Sequence, residues 1–141
     1  MTPERAAQSV NYWRGVAEQL RASPDESSEL TALKSFSKLA VGQASLFAER
    51  GLSESAEQTY RIALGMLANN TDAAVGLADL LDRTGRADEG RALLEKFTRD
   101  YPKQVGAMKD ARMRGSIRVL RKLRANRSAS PVSPFHGSNC R

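Results

Sequence analysis

Apolar side chains recur along most of this chain at the three- and four-residue spacing of an amphipathic helix. No run alternates β-branched and polar residues as a half-buried strand does, so the pattern predicts an all-α protein. The first predicted helix opens at Thr2, with Pro3 at its first helical position, a common helix start. The predicted helices cover about residues 2–22, 28–50, 53–68, 71–84, 87–100 and 103–125.

The first two predicted helices each carry an apolar stripe. Trp13 lies on the stripe of the first helix, and we expect it to anchor the core. The second helix is longer than its neighbours, so its start is expected to join the first helix in an amino-terminal cap. The stripes contain Val10, Trp13, Ala17 and Leu20 in the first helix, and Leu33, Phe36, Ala40 and Phe47 in the second.

Two stretches of the chain repeat each other. Residues 40–46 read AVGQASL and residues 74–80 read AVGLADL, and each stretch is followed by a glycine, Gly51 or Gly85. The offset between the copies is about 34 residues, a period typical of stacked helix-turn-helix units. One such unit cannot bury its apolar face alone, so the units are expected to stack as a solenoid.

The second helix of each unit places a small residue four positions before a large one. Ala56 precedes Tyr60 in the first copy, and Gly90 precedes Leu94 in the second. Residues four apart share a helix face, so the neighbouring helix can approach closely at the small residue.

These units resemble tetratricopeptide repeats over about residues 37–102. The resemblance implies a right-handed solenoid of helical hairpins that serves as a non-enzymatic scaffold or adaptor, with a concave groove for a peptide or helix of a partner protein. The chain departs from the family pattern at Gln43, Ala68 and Gly90. Matching residues are Gly51, Ala56, Tyr60, Ala63 and Leu64 in the first copy, and Leu77, Ala78, Leu81, Gly85, Leu94, Phe97 and Pro102 in the second.

The predicted domain organisation follows the period. Residues 1–36 form an amino-terminal helical cap, and residues 37–102 hold two repeats, which span 37–70 and 71–104 by period. Residues 103–125 form a basic capping helix, and residues 126–141, rich in Ser and Pro, are expected to be a disordered tail.

The resemblance also implies which residues line the groove, because the first helix of each repeat does so in this family. Asp72, Asp79 and Asp82 share one helix face. Gly42 and Gly76 have no side chain, so they are expected to leave room for the extended backbone of a partner. These features favour a partner segment rich in Lys or Arg. Ordinary solvated charge is an equal alternative for these aspartates. The expected lining is Lys38, Val41, Gly42, Ser45 and Glu49 from the first copy, and Asp72, Val75, Gly76, Asp79 and Asp82 from the second.

Positive charge is concentrated in the last predicted helix. Residues 1–102 hold 12 basic and 15 acidic side chains, whereas residues 103–127 hold nine basic residues and Asp110 alone. This helix is expected to cap the solenoid, with Val105, Met108 and Met113 on its apolar side. The alternative function is an adaptor that binds nucleic acid or an anionic membrane through this helix. The basic face would comprise Arg114, Arg118, Arg121 and Lys122.

Catalysis has no clear candidate in the sequence. The single histidine, His136, and the single cysteine, Cys140, lie in the predicted tail, without an orienting partner. We therefore predict no catalytic, metal-binding or cofactor-binding residues. No membrane span or signal peptide is predicted, and a reducing cytoplasm is the expected location. The identity of the partner and the oligomeric state are not readable from the sequence.

Overall fold

The computed structural model describes residues 1–22 and 26–114, of which residues 26–29 are described by their backbone alone. This part of the chain is all helical and contains no strand, which confirms the predicted all-α class. The remainder of the predicted sixth helix and the predicted tail lie outside the described residues. The elements are α1 (Pro3–Arg21), α2 (Glu26–Glu49), α3 (Ser53–Met66), α4 (Thr71–Arg83), α5 (Ala87–Asp100), a 3₁₀ turn (Pro102–Gln104) and α6, described over residues 105–114.

The helix ends follow local sequence signals. The Thr2 side chain accepts a hydrogen bond from the backbone N–H of Arg5 and caps α1, with Pro3 at the first helical position as predicted. Gly51 and Gly85 follow α2 and α4 with φ of 75° and 82°, a left-handed conformation that glycine adopts without steric cost. The two glycines occupy equivalent positions in the two copies, so the same turn recurs in each repeat.

The helices pack as two antiparallel hairpins, α2–α3 and α4–α5, and α4 also packs against both helices of the first hairpin. Phe47, Tyr60 and Leu77 lie in the core between the hairpins, and each is at most 4% exposed. Burial of these apolar faces against each other is what a single hairpin could not achieve.

Helix α1 covers the first hairpin. Trp13 is buried in a cluster with Ala63 and Met66 of α3, as predicted for a core anchor. Arg14 donates to the Gln58 side chain and Arg21 donates to the backbone carbonyl of Gly65. The two residues of each pair are 44 positions apart in sequence. Later residues of α1 therefore contact later residues of α3, so the two helices run parallel.

A polar contact recurs between the two ends of each repeat. The Asn70 amide donates to the Ser37 hydroxyl at 2.6 Å, and the Thr71 hydroxyl donates to the Gln104 side chain at 3.4 Å. The two residues of each pair are 33 positions apart in sequence. Each pair joins the first residue of a repeat to the last residue of the same repeat. Helix α6 begins at residue 105, one repeat period after the start of α4 at Thr71, so it continues the same register.

The apolar side of α6 is only partly as predicted. Val105 and Met108 are half-buried and Ala111 is buried, but Met113 is 65% exposed. Met113 follows Ala111 by two positions, about 200° around the helix, so it points away from the last repeat.

Candidate binding groove

One continuous groove of about 1870 Å³ runs along the inner faces of α2 and α4 and extends over α5 and α6. All ten residues expected to line a groove do line it, so the structure places the residues of the two repeats on one surface. These residues are Lys38, Val41, Gly42, Ser45, Glu49, Asp72, Val75, Gly76, Asp79 and Asp82.

The floor of the groove is apolar between α2 and α4. Val41 and Val75 are half-buried, and Leu46 is 47% exposed. The Tyr60 ring reaches the floor from α3, where its hydroxyl lies 3.0 Å from Ser45 Oγ. Such a floor can contact apolar side chains of a partner and exclude water from them.

Gly76 does not leave the free space that the sequence suggested. A Cβ built on Gly76 would lie 2.6 Å from Cε1 of Tyr60, so the tyrosine ring occupies that space. A Cβ on Gly42 would meet nothing within 4 Å, so of these two glycines only Gly42 leaves open space in the groove. The prediction for Gly76 was wrong because it considered one helix without the neighbour that packs against it.

The predicted acidic residues of α4 form an exposed row, which we call the acidic wall (Asp72, Asp79 and Asp82). Asp79 pairs with Arg83 of the same helix at 2.6 Å, and Asp72 pairs with Arg114 of α6 at 3.1 Å. Asp82 makes no ion pair with any residue that the structure describes. Both pairs are solvent-exposed, so each contributes at most about 1 kcal/mol and can be exchanged for a partner's cation.

Four arginines of α5 and α6 also line the groove. The sequence-based prediction did not place them there, although it assigned Arg114 to the alternative basic face. Inference from the family covered only the first helix of each repeat, so the contribution of α5 was missed. Helix α6 starts one repeat period after α4, and this spacing could have indicated that α6 continues the groove. We call these residues, Arg91, Arg99, Arg112 and Arg114, the basic wall.

The alternative basic face is only partly within the described residues. Arg114 lines the groove and pairs with Asp72, so the structure joins one residue from each of the two predicted sites. Arg118, Arg121 and Lys122 lie beyond residue 114, outside the described residues.

An ion-pair network outside the groove fixes the two hairpins relative to each other. Arg86, just before α5, pairs with Glu57 of α3 at 2.7 Å and with Glu89 at 2.6 Å, and Glu57 also pairs with Arg61. Burial of Glu57 opposes its ionisation, but the hydrogen bonds from Arg61 and Arg86 outweigh this effect and lower its pKa. The hydrogen bond from Arg86 likewise lowers the pKa of Glu89, and both carboxylates raise the pKa of Arg86.

The described residues offer no metal site. Among them, no group of three or more His, Cys, Asp and Glu side chains is placed to bind a metal ion. None of the helices described is long and apolar enough to cross a bilayer.

Comparison with known families identifies the repeats. A family model described as tetratricopeptide repeat matches residues 48–113, from the end of α2 to the end of the described part of α6. Over these residues the chain is similar to the tetratricopeptide repeat family, whose members generally mediate protein–protein interactions without catalysing reactions. Comparisons with curated proteins and with solved structures gave no match.

Proposed function

We propose that the chain is a cytoplasmic scaffold or adaptor that binds a peptide or helix of a partner protein in the groove between its repeats. The observation that carries the proposal is the single groove that collects the inner faces of α2, α4 and α6. Its volume exceeds the roughly 300–1,000 Å³ of small-molecule pockets, which favours a polypeptide ligand.

The acidic wall indicates the chemistry of that partner. Asp79 and Asp82 are exposed on the groove side of α4, one helical turn apart. A partner segment that places Lys or Arg side chains along α4 would pair with Asp82 and compete with Arg83 for Asp79. Such complementary charge accelerates association and selects the register of binding.

Affinity capture with matched baits tests the proposal. Wild-type chain and the Asp79→Asn/Asp82→Asn variant are used to capture proteins from the source cell, which are then identified by mass spectrometry. The variant keeps the size and polarity of both side chains, so the fold should survive. We expect the wild type to enrich a protein with a Lys- or Arg-rich segment and the variant to lose it.

A second double variant controls for net charge. Asp88→Asn/Asp100→Asn removes two negative charges from α5 at residues outside the groove lining. We expect this variant to retain the captured protein. Equal loss from both variants would show a non-specific charge effect, and capture of nucleic acid alone would favour the alternative function of the basic helix.

A further inference from the structure

Helix α6 runs in the same direction as α4 and is joined to it by an ion pair. The Thr98 hydroxyl of α5 lies 3.8 Å from Met108 Sδ, so α6 folds back along α5 after the 3₁₀ turn. Helices α4 and α6 are therefore both antiparallel to α5 and parallel to each other. Arg114, the last residue of α6 that the structure describes, pairs with Asp72 near the start of α4 at 3.1 Å. A continuation of α6 beyond Arg114 would follow α4 toward the groove residues after Asp72.

An arginine stands 42 positions after every aspartate of the acidic wall. The first of these pairs is the observed ion pair between Asp72 and Arg114, whose residues are 42 positions apart. The same offset leads from Val75, an apolar residue of the groove floor, to Ile117. Charged positions therefore correspond to charged ones of opposite sign, and an apolar position corresponds to an apolar one. The three charged pairs are Asp72 with Arg114, Asp79 with Arg121, and Asp82 with Arg124.

The corresponding positions share one face of each helix. Within the acidic wall and within the three arginines, successive residues are seven and three positions apart, which keeps them on one side of a helix. The sequence predicts that α6 continues to about residue 125, so Arg121 and Arg124 would lie on the same side as Arg114. Between parallel helices, a contact made at one level can recur at later levels with the same offset.

We propose that residues 115–125 continue α6 along the acidic wall and occupy it until a basic segment of a partner displaces them. Arg121 and Arg124 supply the two cations, and Ile117 covers the apolar floor at Val75. This contact extends the interface between α4 and α6 that Asp72 and Arg114 already form.

The carboxylates of the acidic wall are available for this contact. Asp82 has no ion pair within the part of the chain that the structure describes. Asp79 pairs only with Arg83 of its own helix, and both side chains of that pair are more than half exposed. An exposed pair of this kind is weak, so Asp79 can exchange Arg83 for Arg121.

The competition with a partner depends on the proposed function, because both segments would use the same carboxylates. A segment of the same chain is present at a high effective concentration beside the groove. A partner therefore binds only the fraction of molecules in which residues 115–125 have left the acidic wall, and its apparent affinity falls accordingly.

Hydrogen exchange of the backbone amides, measured by mass spectrometry on the whole chain without a partner, tests the docking. We expect the amides of residues 115–125 to be protected in wild type. Asp79→Asn/Asp82→Asn should speed their exchange by about tenfold, because two ion pairs of the docked segment are lost. Asp88→Asn/Asp100→Asn removes the same charge outside the groove lining and should leave the exchange unchanged. An unprotected segment in wild type, or protection that the groove variant leaves unchanged, overturns the proposal.

Charge exchange tests the individual pairing. Asp79→Lys alone should remove protection, and Asp79→Lys/Arg121→Asp should restore it, because the pair is only reversed in sign. Asp79→Lys/Lys122→Asp has the same net charge but places the new carboxylate about 100° around the helix, so it should not restore protection. Equal restoration by both double variants overturns the pairing. Circular-dichroism melts check that each variant folds.

A hexaarginine peptide, used as the probe for a basic partner segment, tests the competition. Arg121→Gln/Arg124→Gln frees the acidic wall, so this variant should bind the peptide up to about tenfold more tightly than wild type does. Unchanged binding would overturn the competition. Adding Asp79→Asn/Asp82→Asn to that variant should weaken peptide binding again. Hydrogen exchange needs no partner, so a failure of the docking and a failure of the proposed function are distinguished.

Discussion

The ring of Tyr60 fills the space beside Gly76, where a Cβ would lie 2.6 Å from Cε1 and 2.8 Å from the hydroxyl oxygen. Tyr60 is 4% exposed, and its hydroxyl reaches Ser45 of α2. One side chain of α3 therefore joins the first helices of both repeats. The floor of the groove depends on this contact.

Truncation of Tyr60 should destabilise the chain strongly. Tyr60→Ala leaves a cavity between α2, α3 and α4, and we expect a loss of about 3 kcal/mol in the free energy of unfolding. Tyr60→Phe keeps the ring and removes the hydroxyl that contacts Ser45, so the loss in the free energy of unfolding should be about 1 kcal/mol. Urea unfolding followed by circular dichroism measures both, and an unaffected Tyr60→Ala variant would show that the ring does not join the repeats.

The same substitution at two equivalent positions should have opposite effects. Gly42→Ala meets open space in a helix interior and should stabilise the chain by up to about 1 kcal/mol through helix propensity. Gly76→Ala must displace the Tyr60 ring and should cost about 1–3 kcal/mol. Thermal denaturation compares the two variants, and a shift of the same sign in both would contradict the packing described here.

The hydrogen bond between Asn70 and Ser37 should contribute to stability. Asn70 donates its amide to the buried Ser37 hydroxyl, and its side-chain oxygen caps α4 by accepting from the Ala73 N–H. Asn70→Asp keeps the cap but removes the donor, and Ser37→Ala removes the acceptor. A double-mutant cycle should give a coupling free energy of about 1 kcal/mol. Additive effects would mean that the two side chains do not interact in solution.

Acid should remove the contribution of the Glu57 network. The pKa of Glu57 is lower in the folded chain than its ordinary value of 4.5, so ionised Glu57 stabilises the fold above that pH. The stability difference between wild type and Glu57→Gln should be about 1 kcal/mol at neutral pH. It should shrink as the pH falls below 4.5 and through the folded pKa, because the wild-type carboxylate then becomes protonated. Unfolding titrations of both proteins from pH 7 to pH 3 test this, and a constant difference would exclude the ion pairs as its cause.

The helices and their turns were predictable because their signals are local. A proline after Thr2 marks the start of α1, and Gly51 and Gly85 mark a turn that recurs once per repeat. The family pattern then indicates which faces of α2 and α4 lie together, so all ten predicted groove residues were placed on one surface.

The features that were missed depend on contacts between helices. The side chain that fills the space at Gly76 belongs to the preceding helix, and the partner of Ser37 lies 33 residues away, at the other end of the same repeat. Neither pair has a local signal. The basic wall was missed for a related reason, since Arg114 reaches the groove only because α6 packs in the position of a next repeat.

The central claim is that the acidic wall binds a basic segment of a partner, and its most direct measurement is a binding titration at two salt concentrations. The captured partner is titrated with wild type, with Asp79→Asn/Asp82→Asn and with the control Asp88→Asn/Asp100→Asn. We expect the groove variant to bind about tenfold more weakly at low salt, with a smaller difference at high salt, because screening weakens the same charge contacts in wild type. The control should match wild type. Equal binding by the groove variant at both salt concentrations would contradict the claim, and Arg114 and the basic residues that follow it would then be the next surface to test.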